Sequence, residues 1–379
     1  MKVLIAVTHL LGTGHLARAA LIARAFSGQG HDVTLVTGGT TVPRVETSGL
    51  RLTQLPALKS DGVNFSKLLD SEGRPADDTL FARRRDMAIA TLFEVNPDVL
   101  ITELFPFGRR NLQGEFLALL EAARGMERPP LVLSSVRDIL APPSKPERAA
   151  QTEARLKAYY DGVLVHSDPD VVPLSLSWPT TPEVEAYLIY TGFVAPPRAE
   201  PAADGLGNGD ILVSAGGGDV GAHIFSTALQ SAALTPEWRW RLLVGGQDPG
   251  KRCLNMSKGA PGNALIEPAR PEFRGMLYNA SASVSMCGYN TALDVLQAGT
   301  PAVWIPFDAG GEVEQGLRAK ALADQSAMQI IPSEDLTPET LIPALQKVQS
   351  APPRDPATLA FDGAERTVAC VENIQEARR

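Results

Sequence analysis

The sequence predicts two doubly wound α/β domains in tandem that face each other across a cleft. The chain opens with an uninterrupted apolar run at Val3–Val7, typical of a parallel strand buried on both faces, and a helical apolar stripe follows at Leu16–Ser27. The same alternation of strand and helix restarts at Asp210–Ser214. Because 379 residues exceed what one ordinary hydrophobic core holds, we interpret the restart as a second domain.

Each half repeats the pattern of strand, helix and parallel strand, which favours right-handed crossovers. In the first half a second strand is expected at Asp32–Val36 and a long polar helix at Lys145–Tyr160. The other strands predicted there are Val99–Thr102, Leu131–Ser134, Gly162–Val165 and Ala186–Tyr190. Those predicted in the second half are Trp240–Val244, Asn263–Glu267, Ala282–Cys287, Pro301–Ile305 and Ala327–Ile331.

The domain boundary is placed at a segment rich in Pro, Ala, Gly and Asp. Residues 196–208 are expected to be the linker between a domain at 1–195 and a domain at 209–355. Residues 356–379 are expected to form a C-terminal helix that packs back on the first domain. In such a pair the carboxyl ends of the strands line the cleft, and ligands bind there.

Composition excludes several classes of function. Apolar residues make up 44% of the chain and charged residues 21%, and the net charge of −8 argues against a broad nucleic-acid surface. Three scattered cysteines show no zinc spacing, so no metal site is expected. With neither a signal-peptide pattern nor a spanning segment, we expect a cytoplasmic protein. The triplet Arg83–Arg85 is expected to be an exposed helical face, the alternative being attraction to an anionic membrane surface.

The most informative motif is Gly288-Tyr-Asn-Thr-Ala-Leu-Asp294, which follows a predicted strand and opens a short helix that Gly299 ends. Free N–H groups and the positive end of the helix dipole favour a diphosphate beside Gly288, Asn290 and Thr291. Asp294, about one turn into the helix, can accept hydrogen bonds from two ribose hydroxyls. The motif therefore indicates a nucleotide, and the alternative is an Asn N-cap followed by an ordinary surface acid.

Two further turns follow strands of the second domain and are expected on the same rim. Three glycines in a strand–helix turn expose N–H groups as phosphate loops do, although a tight turn alone has the same composition. Carboxylates and amides at the next helix start can hydrogen-bond the hydroxyl groups of a sugar. The alternative is that these acidic residues only interact favourably with the positive end of the helix dipole. The residues are Gly216, Gly217 and Gly218 in the first turn, and Asp308, Glu314 and Gln315 in the second.

The loop after the first strand carries the first candidate for proton transfer. Gly12, Thr13 and Gly14 allow a ligand to approach the backbone, and His15 stands at the start of the following helix. A histidine in that place can take a proton from an attacking hydroxyl, and the alternative is a helix cap.

The segment after the strand at Val99–Thr102 carries the second candidate. Glu103 is expected to face the cleft, as a base or as a contact to a second substrate. Arg109 and Arg110 are expected to be solvated, with contact to a phosphate as the alternative. His166, which ends another strand, is expected to be structural.

These motifs together resemble those of GT-B glycosyltransferases, whose two Rossmann-like domains face across a cleft, and most closely the MurG-like group of family 28. The loop ending in His15 resembles the Gly-rich N-terminal loop of that group. Asp294 stands where the family usually has Glu. The resemblance is specific over Ser281–Ala319 and rests there on Gly288–Asp294, Gly299-Thr-Pro301, Ile305-Pro-Phe307 and Glu314-Gln315.

The resemblance implies an inverting, metal-independent glycosyltransferase without a cofactor, which uses a nucleotide-diphosphate sugar, with a UDP-sugar such as UDP-N-acetylglucosamine preferred. Asp294 would bind the ribose, Asn290 and Thr291 the diphosphate, and Glu314 with Gln315 the donor sugar. The first domain would bind the acceptor, which is either lipid-linked or a small molecule. Association with the inner face of a membrane would be peripheral at most.

Two other functions remain open from the sequence. UDP-N-acetylglucosamine 2-epimerases have the same layout and donor site, but their loop typically reads Gly-Thr-Arg-Pro-Glu where this chain has Gly-Thr-Gly-His. A non-catalytic nucleotide-sugar-binding subunit is the other alternative. Within the transferase hypothesis, the sequence leaves the catalytic base as either His15 or Glu103.

Overall fold

The computed structural model describes residues 1–10, 13–42, 45–60, 67–215, 220–308 and 311–378. The chain divides into two compact units. The first unit consists of Met1–Ala195 together with Ala360–Arg379, and the second consists of Pro196–Leu359. The C-terminal end of the chain thus belongs to the same unit as its beginning.

The first unit is built on an eight-stranded sheet with the order β4-β3-β2-β1-β5-β6-β7-β8. All neighbouring strands are parallel except β3 and β4, which pair antiparallel. The strands are β1 (Lys2–Val7), β2 (Asp32–Gly39), β3 (Arg51–Ser60), β4 (Leu68–Leu69), β5 (Val99–Glu103), β6 (Leu131–Arg137), β7 (Gly162–His166) and β8 (Leu188–Tyr190).

Helices cover both faces of this sheet, and side chains of β1 alternate between the two layers. Leu4 and Ala6 belong to one buried apolar cluster, while Val3, Ile5 and Val7 belong to the other. The helices are α1 (Gly14–Gly28), α2 (Asp78–Val95), α3 (Gln113–Arg124), α4 (Pro146–Tyr159), α5 (Pro182–Glu185) and, from the C-terminal end, α12 (Gly363–Ala377), which packs on α1.

The second unit has a parallel six-stranded sheet with the order β11-β10-β9-β12-β13-β14. Its strands are β9 (Asp210–Ser214), β10 (Arg239–Val244), β11 (Ala264–Pro268), β12 (Ala282–Ser285), β13 (Ala302–Trp304) and β14 (Met328–Ile330). Its helices are α6 (Ala222–Leu234), α7 (Pro249–Met256), α8 (Phe273–Asn279), α9 (Tyr289–Ala298), α10 (Glu314–Ala321) and α11 (Pro338–Ser350).

The fold class predicted from the sequence, two doubly wound parallel α/β units, is confirmed. Gly299 ends α9 with φ of 74°, the left-handed conformation that glycine adopts without steric cost. The strand β3, which lies between β2 and the short edge strand β4, was missed, because its sequence, Arg-Leu-Thr-Gln-Leu-Pro-Ala-Leu-Lys-Ser, mixes polar residues with a proline. The predicted strand at Ala186–Tyr190 begins only at Leu188.

Two other local expectations need correction. The helix predicted over 356–379 begins as α12 only at Gly363, after a short 3₁₀ turn at Pro356–Thr358. Within the triplet expected on an exposed helical face, Arg84 is fully buried. It forms a bidentate ion pair with Glu115 and donates to Gly38 O at 2.8 Å, so this arginine holds α2 against α3 and β2.

The segment 196–208, predicted as the linker, is counted with the second unit. Its backbone is hydrogen-bonded to α8, since Ala202 N donates to Gly275 O and Asn279 Nδ2 donates to Ala202 O, both at 3.0 Å. In the described parts of the chain, no helix combines the length and apolarity needed to cross a bilayer.

Each sheet has one point at which the strand order reverses. In the first unit this point lies between β1 and β5, and in the second it lies between β9 and β12. The connections leave adjacent strands in opposite directions there, which opens a crevice at their carboxyl ends. Ligands of open α/β sheets bind at such reversal points, so these two places are where functional side chains are expected.

Candidate active site

The reversal point of the first unit brings the two candidate bases into contact. Ala6 of β1 pairs with Thr102 of β5, so the segments that follow these strands emerge side by side. His15 lies in the first turn of α1, and Glu103 is the last residue of β5. The distance between His15 Nδ1 and Glu103 Oε1 is 2.8 Å.

Glu103 is held by two further side chains in addition to His15. Arg18, one turn along α1 from His15, forms an ion pair with Glu103 Oε1. Ser135 of β6 donates to Glu103 Oε2 at 2.7 Å, and Ser135 Oγ also lies 2.9 Å from His166 Nε2. The carboxylate is 1% exposed. A polar cluster that is buried and hydrogen-bonded in this way holds one geometry.

The contacts fix the positions of the protons. An ionised carboxylate only accepts hydrogen bonds, so His15 Nδ1 carries a proton and donates it to Glu103. Because the Ser135 hydroxyl donates to Glu103, it accepts from His166 Nε2–H. His166 Nδ1 then accepts from the hydroxyl of Thr191 at 2.8 Å. These contacts require a neutral His166. The pKa of His15, which is lowered to about 3, makes its ring neutral as well, so its Nε2 carries a lone pair.

The electrostatics agree with that assignment. Burial would raise the pKa of Glu103, but the charge of Arg18 and the hydrogen bonds from His15 and Ser135 outweigh it and lower the pKa to about 2. Burial lowers the pKa of His15 to about 3; the hydrogen bond to Glu103 opposes this shift, and the charges of Arg109 and Arg18 add to it. Burial likewise lowers the pKa of His166 to about 3.

The two residues that the sequence offered as alternative bases form one hydrogen-bonded pair. Glu103 is sealed from solvent, whereas the side chain of His15 is 15% exposed. His15 Nε2 forms no hydrogen bond within the described ranges of the chain. The arrangement can therefore accept a proton at His15 Nε2 while Glu103 orients the ring and stabilises the charge that develops.

At the reversal point of the second unit lies the start of α9. Its N-cap is Gly288, which has no side chain to cap the first N–H groups of the helix. Asn290, which was considered as an N-cap, lies exposed in the first turn with Thr291 partly exposed beside it. Such a helix start favours an anion.

Arg318 of α10 fixes the segment before this helix. Its guanidinium donates to Cys287 O at 2.9 Å and lies 5.7 Å from the ring centroid of Tyr289. Arg318 is 2% exposed, so its charge is buried close behind the helix start. The backbone at Gly288 is thereby held in place by a side chain from the neighbouring helix.

Asp294 is not a free surface acid. Its Oδ1 accepts from Arg274 Nε at 2.8 Å, and the side chain is 15% exposed. Arg274 also donates to Pro197 O and to Gln297 Oε1. Burial raises the pKa of Asp294 to about 6, against the opposing effect of Arg274. Among the described residues Asp294 Oδ2 has no hydrogen-bond partner, so this oxygen is available to a ligand.

The candidate sugar-binding residues follow β13. Gln315 Oε1 accepts from the N–H of Phe307 at 3.1 Å, so Gln315 holds the turn and leaves its amide NH₂ for other contacts. Asp308 is exposed and lines a pocket of about 650 Å³. The pocket lies between the start of α6 and residues 333–336 and does not include Asp294. Glu314 begins α10, where its N–H donates to Glu312.

Some predicted residues lie outside the described part of the chain, namely Gly12, Gly216, Gly217 and Gly218. Thr13 is the N-cap of α1 and Gly14 its first residue. Across the described ranges, no group of three or more His, Cys, Asp or Glu side chains could hold a metal ion.

Sequence reasoning missed the residues that support the site. Arg18 interrupts the apolar stripe of α1 one turn after His15, a signal that was read only as evidence against a membrane span. Ser135 lies near the carboxyl end of β6, and His166 is the last residue of β7. These two strands follow β5 in the sheet order, so the position of both side chains at the same edge of the sheet as Glu103 was predictable. Arg274 and Arg318 had no pattern that would have singled them out.

Comparison with known sequences identifies the second unit. Residues 257–367 match the glycosyltransferase family 28 C-terminal domain. A UDP-N-acetylglucosamine--N-acetylmuramyl-(pentapeptide) pyrophosphoryl-undecaprenol N-acetylglucosamine transferase from Phenylobacterium zucineum is 30% identical over 153 residues. That alignment covers 39% of this chain and 42% of the relative, so the chain spans less than half the length of the curated relative that it matches.

Comparison with solved structures covers both units. MurG from Acinetobacter baumannii superimposes with a TM-score of 0.62 at 19% identity, covering 99% of this chain and 100% of that structure. The glycosyltransferase VinC, solved in complex with dTDP, has a TM-score of 0.62 at 14% identity over the whole of both chains. The chain is thus a GT-B fold protein in which residues 257–367 match the glycosyltransferase family 28 C-terminal domain.

Proposed function

We propose that the chain is an inverting, metal-independent glycosyltransferase that moves a sugar from a nucleotide-diphosphate donor to a hydroxyl group. The observation that carries the proposal is the His15–Glu103 pair at the reversal point of the first unit. It offers an imidazole nitrogen, His15 Nε2, that no described residue hydrogen-bonds, backed by a buried, ionised carboxylate. That combination suits removal of a proton from an attacking hydroxyl.

The donor would bind the second unit. Its diphosphate would lie against the uncapped start of α9, where amide N–H groups and the helix dipole stabilise negative charge. Asp294 Oδ2 would accept a hydrogen bond from a ribose hydroxyl, with the carboxylate held by Arg274. Asp308, Glu314 and the free amide of Gln315 would contact the sugar hydroxyls.

In the transfer step, the acceptor oxygen forms a bond to the anomeric carbon while the bond from that carbon to the diphosphate oxygen breaks. The proton of the acceptor hydroxyl goes to His15 Nε2, and the electron pair of the broken bond leaves with the nucleoside diphosphate. Attack on the face opposite the leaving group inverts the anomeric configuration. The N–H groups of α9 stabilise the departing charge.

The nucleotide is proposed from two kinds of relative. The curated relatives are named for UDP-N-acetylglucosamine. Residues 257–367, which match the family 28 C-terminal domain, include α9. VinC, by contrast, was solved with dTDP. We propose a UDP-sugar as the preferred donor, with a dTDP-sugar as the competing candidate.

The experiment that tests this function separates transfer from isomerisation. The protein is incubated with UDP-N-acetylglucosamine or with a dTDP-sugar in the absence of acceptor, and products are followed by NMR. We expect slow release of the nucleoside diphosphate and no epimer. Formation of a 2-epimer would contradict the transferase proposal, and binding of nucleotide without any turnover, even with hydroxyl acceptors present, would favour a binding subunit.

A further inference from the structure

A positively charged side chain without a partner lies beside the His15–Glu103 pair. Arg109 follows β5, and its charge lowers the pKa of both His9 and His15. Within the described parts of the chain, its guanidinium has no hydrogen bond or ion pair, and its Nε is buried. Desolvation lowers the pKa of Arg109 itself to about 10. A cation removed from water without a counterion is costly, so this one is suited to an anion from outside the chain.

Glu103 does not serve as that counterion. It influences Arg109 electrostatically, but its two oxygens already accept from Arg18, His15 and Ser135. The net charge around the pair is therefore positive. Arg109 was expected from the sequence to be solvated, and the structure instead shows a partly buried side chain.

The loop that presents Arg109 is held firmly. The carbonyl of Phe105 accepts from Thr102 Oγ1 at 3.0 Å, from Ser134 Oγ at 2.8 Å and from the hydroxyl of Tyr160 at 3.1 Å. Arg109 has φ of 59°, a left-handed conformation that is unfavourable for a residue with a side chain. Such conformations persist where surrounding contacts impose them, and they concentrate at functional sites.

His9 provides a second polar group without a partner. It is 4% exposed, and neither ring nitrogen has a hydrogen bond, although both are buried. The ring packs against Gly39 at the end of β2, where an added Cβ would lie 2.4 Å from His9 Cε1. The main chain at Thr40 lies near enough to affect the pKa of His9, yet no hydrogen bond of normal geometry forms in the described chain.

We propose that Arg109 and His9 form a binding site for an oxyanion group of the acceptor, either a carboxylate or a phosphate. The assignment of that group to the acceptor rests on the proposed function, because His15 beside it would receive the acceptor proton. The guanidinium offers parallel N–H donors that match the oxygens of either group, and His9 offers one ring N–H.

Nearby charge favours an anion over a neutral hydroxyl. Arg110, the next residue, lies near Arg148 and Arg155 of α4, whose charges lower its pKa in addition to the effect of burial. An oxyanion at Arg109 would offset one of the positive charges that face His15, the other being Arg18, while Glu103 stays ionised. Acceptor binding would thereby make His15 a stronger base at the moment of transfer.

The test uses the full-length protein with ¹⁵N-labelled histidine, saturated with UDP or dTDP so that the nucleotide site is filled. Inorganic phosphate and acetate are titrated separately, and the imidazole signals of His9 and His15 are followed. We expect saturable shifts of both signals with at least one of the two anions. The anion that binds more tightly identifies the group as phosphate or carboxylate.

Variants assign the response to Arg109. Arg109→Gln is expected to weaken anion binding at least tenfold, Arg109→Lys to retain part of it, and His9→Asn to weaken it. Arg128→Gln, an exposed arginine elsewhere in the first unit, is the matched control and is expected to bind as the wild type does. Nucleotide binding to the second unit should remain unchanged in all four and reports that they are folded.

Two results would overturn the inference. One is the absence of any saturable shift of His9 or His15 with either anion, and the other is equal anion binding by the wild type and the Arg109→Gln and His9→Asn variants. Failure of the proposed function has a different outcome. In that case neither UDP nor dTDP binds, whereas phosphate or acetate still shifts the two histidine signals in nucleotide-free protein.

Discussion

The two reversal points present different parts of the chain. In the first unit, side chains from α1, β5, β6 and β7 form a buried network in which each proton has a defined place. In the second unit, the corresponding feature is the backbone at the start of α9, whose N-cap residue Gly288 has no side chain. The first site thus consists of side chains that hold one another in place, and the second consists of main-chain groups at a helix start.

This difference indicates a division of labour. Proton transfer needs one atom held accurately in one protonation state, and a dry hydrogen-bonded network provides that. A diphosphate needs several donors arranged in space, and the amides of a helix start provide them without any ionisable group. Substitutions in the first unit should therefore change turnover, and those in the second should change nucleotide binding.

The largest effect is expected for His15→Ala. Loss of the base should lower kcat by about 10²- to 10⁴-fold, since general base catalysis contributes about that much. Steady-state kinetics with the donor identified above measures it. His31→Ala is the matched control, because His31 bonds to Met1 N and Glu372, away from Glu103. Full activity of the His15→Ala variant would remove His15 from the mechanism.

A smaller loss is expected for Glu103→Gln. The amide keeps the shape but loses the negative charge that stabilises the protonated imidazole, so kcat should fall at least about tenfold. The pKa of His15 should also fall further, because Glu103 raises it. Kinetics and imidazole NMR measure the two effects. An unchanged kcat together with an unchanged histidine spectrum would show that Glu103 serves only the fold.

Asn290→Asp tests the open helix start. A carboxylate in the first turn of α9 should stabilise the helix slightly but repel a diphosphate, so the Kd for UDP or dTDP should rise about tenfold. Calorimetry measures Kd, and a thermal scan checks that stability is retained. The control is Asn255→Asp on the exposed end of α7. Equal weakening in both variants would indicate a general effect of charge.

The smallest expected effect concerns how the free energy of unfolding depends on pH. His166 in the first unit and Asp294 in the second change it in opposite directions as the pH rises. The pKa of His166 is lowered to about 3, so the unfolded chain binds more protons below pH 6.5 and stability falls from there towards pH 3. The pKa of Asp294 is raised to about 6, so its contribution is present below pH 4 and is lost as the pH rises through 6.

Thermal scans between pH 4 and pH 8 check both directions. His166→Asn should flatten the loss of stability on the acid side, and Asp294→Asn should flatten the loss as the pH rises from about 4 to about 6, each by a few degrees in Tm. His31→Asn is the control for the first. Parallel curves for the wild type and both variants would show that neither group is perturbed in the way described.

The sequence predicted the fold because buried parallel strands give unmistakable apolar runs, as at Val3–Val7, and glycine marks a helix end, as at Gly299. It also brought His15 and Glu103 forward separately, since each follows a strand. It could not predict their contact, which depends on β1 and β5 being neighbours in the sheet order. Without that adjacency, two halves of one group look like two alternative bases.

Other features depend on side-chain partners that spacing does not reveal. Arg84 looked exposed because it stands in a charged triplet, yet Glu115 is 31 residues away in sequence and pairs with it. Arg109 looked solvated for the same reason. Asp294 was predicted from its place in α9, but Arg274, which holds its carboxylate, comes from the helix that precedes it. Long-range pairing therefore accounts for most of what the sequence left undecided.

The central claim is that the second unit holds the nucleotide while His15 acts only in turnover. The most direct test is the Kd of UDP and of dTDP, measured by calorimetry for the wild type, His15→Ala and Asp294→Asn. For the nucleotide that binds the wild type, the account predicts that the Kd for His15→Ala lies within about twofold of the wild-type value. The Kd for Asp294→Asn is predicted to be about tenfold higher. Weaker binding by His15→Ala with unchanged binding by Asp294→Asn would contradict it.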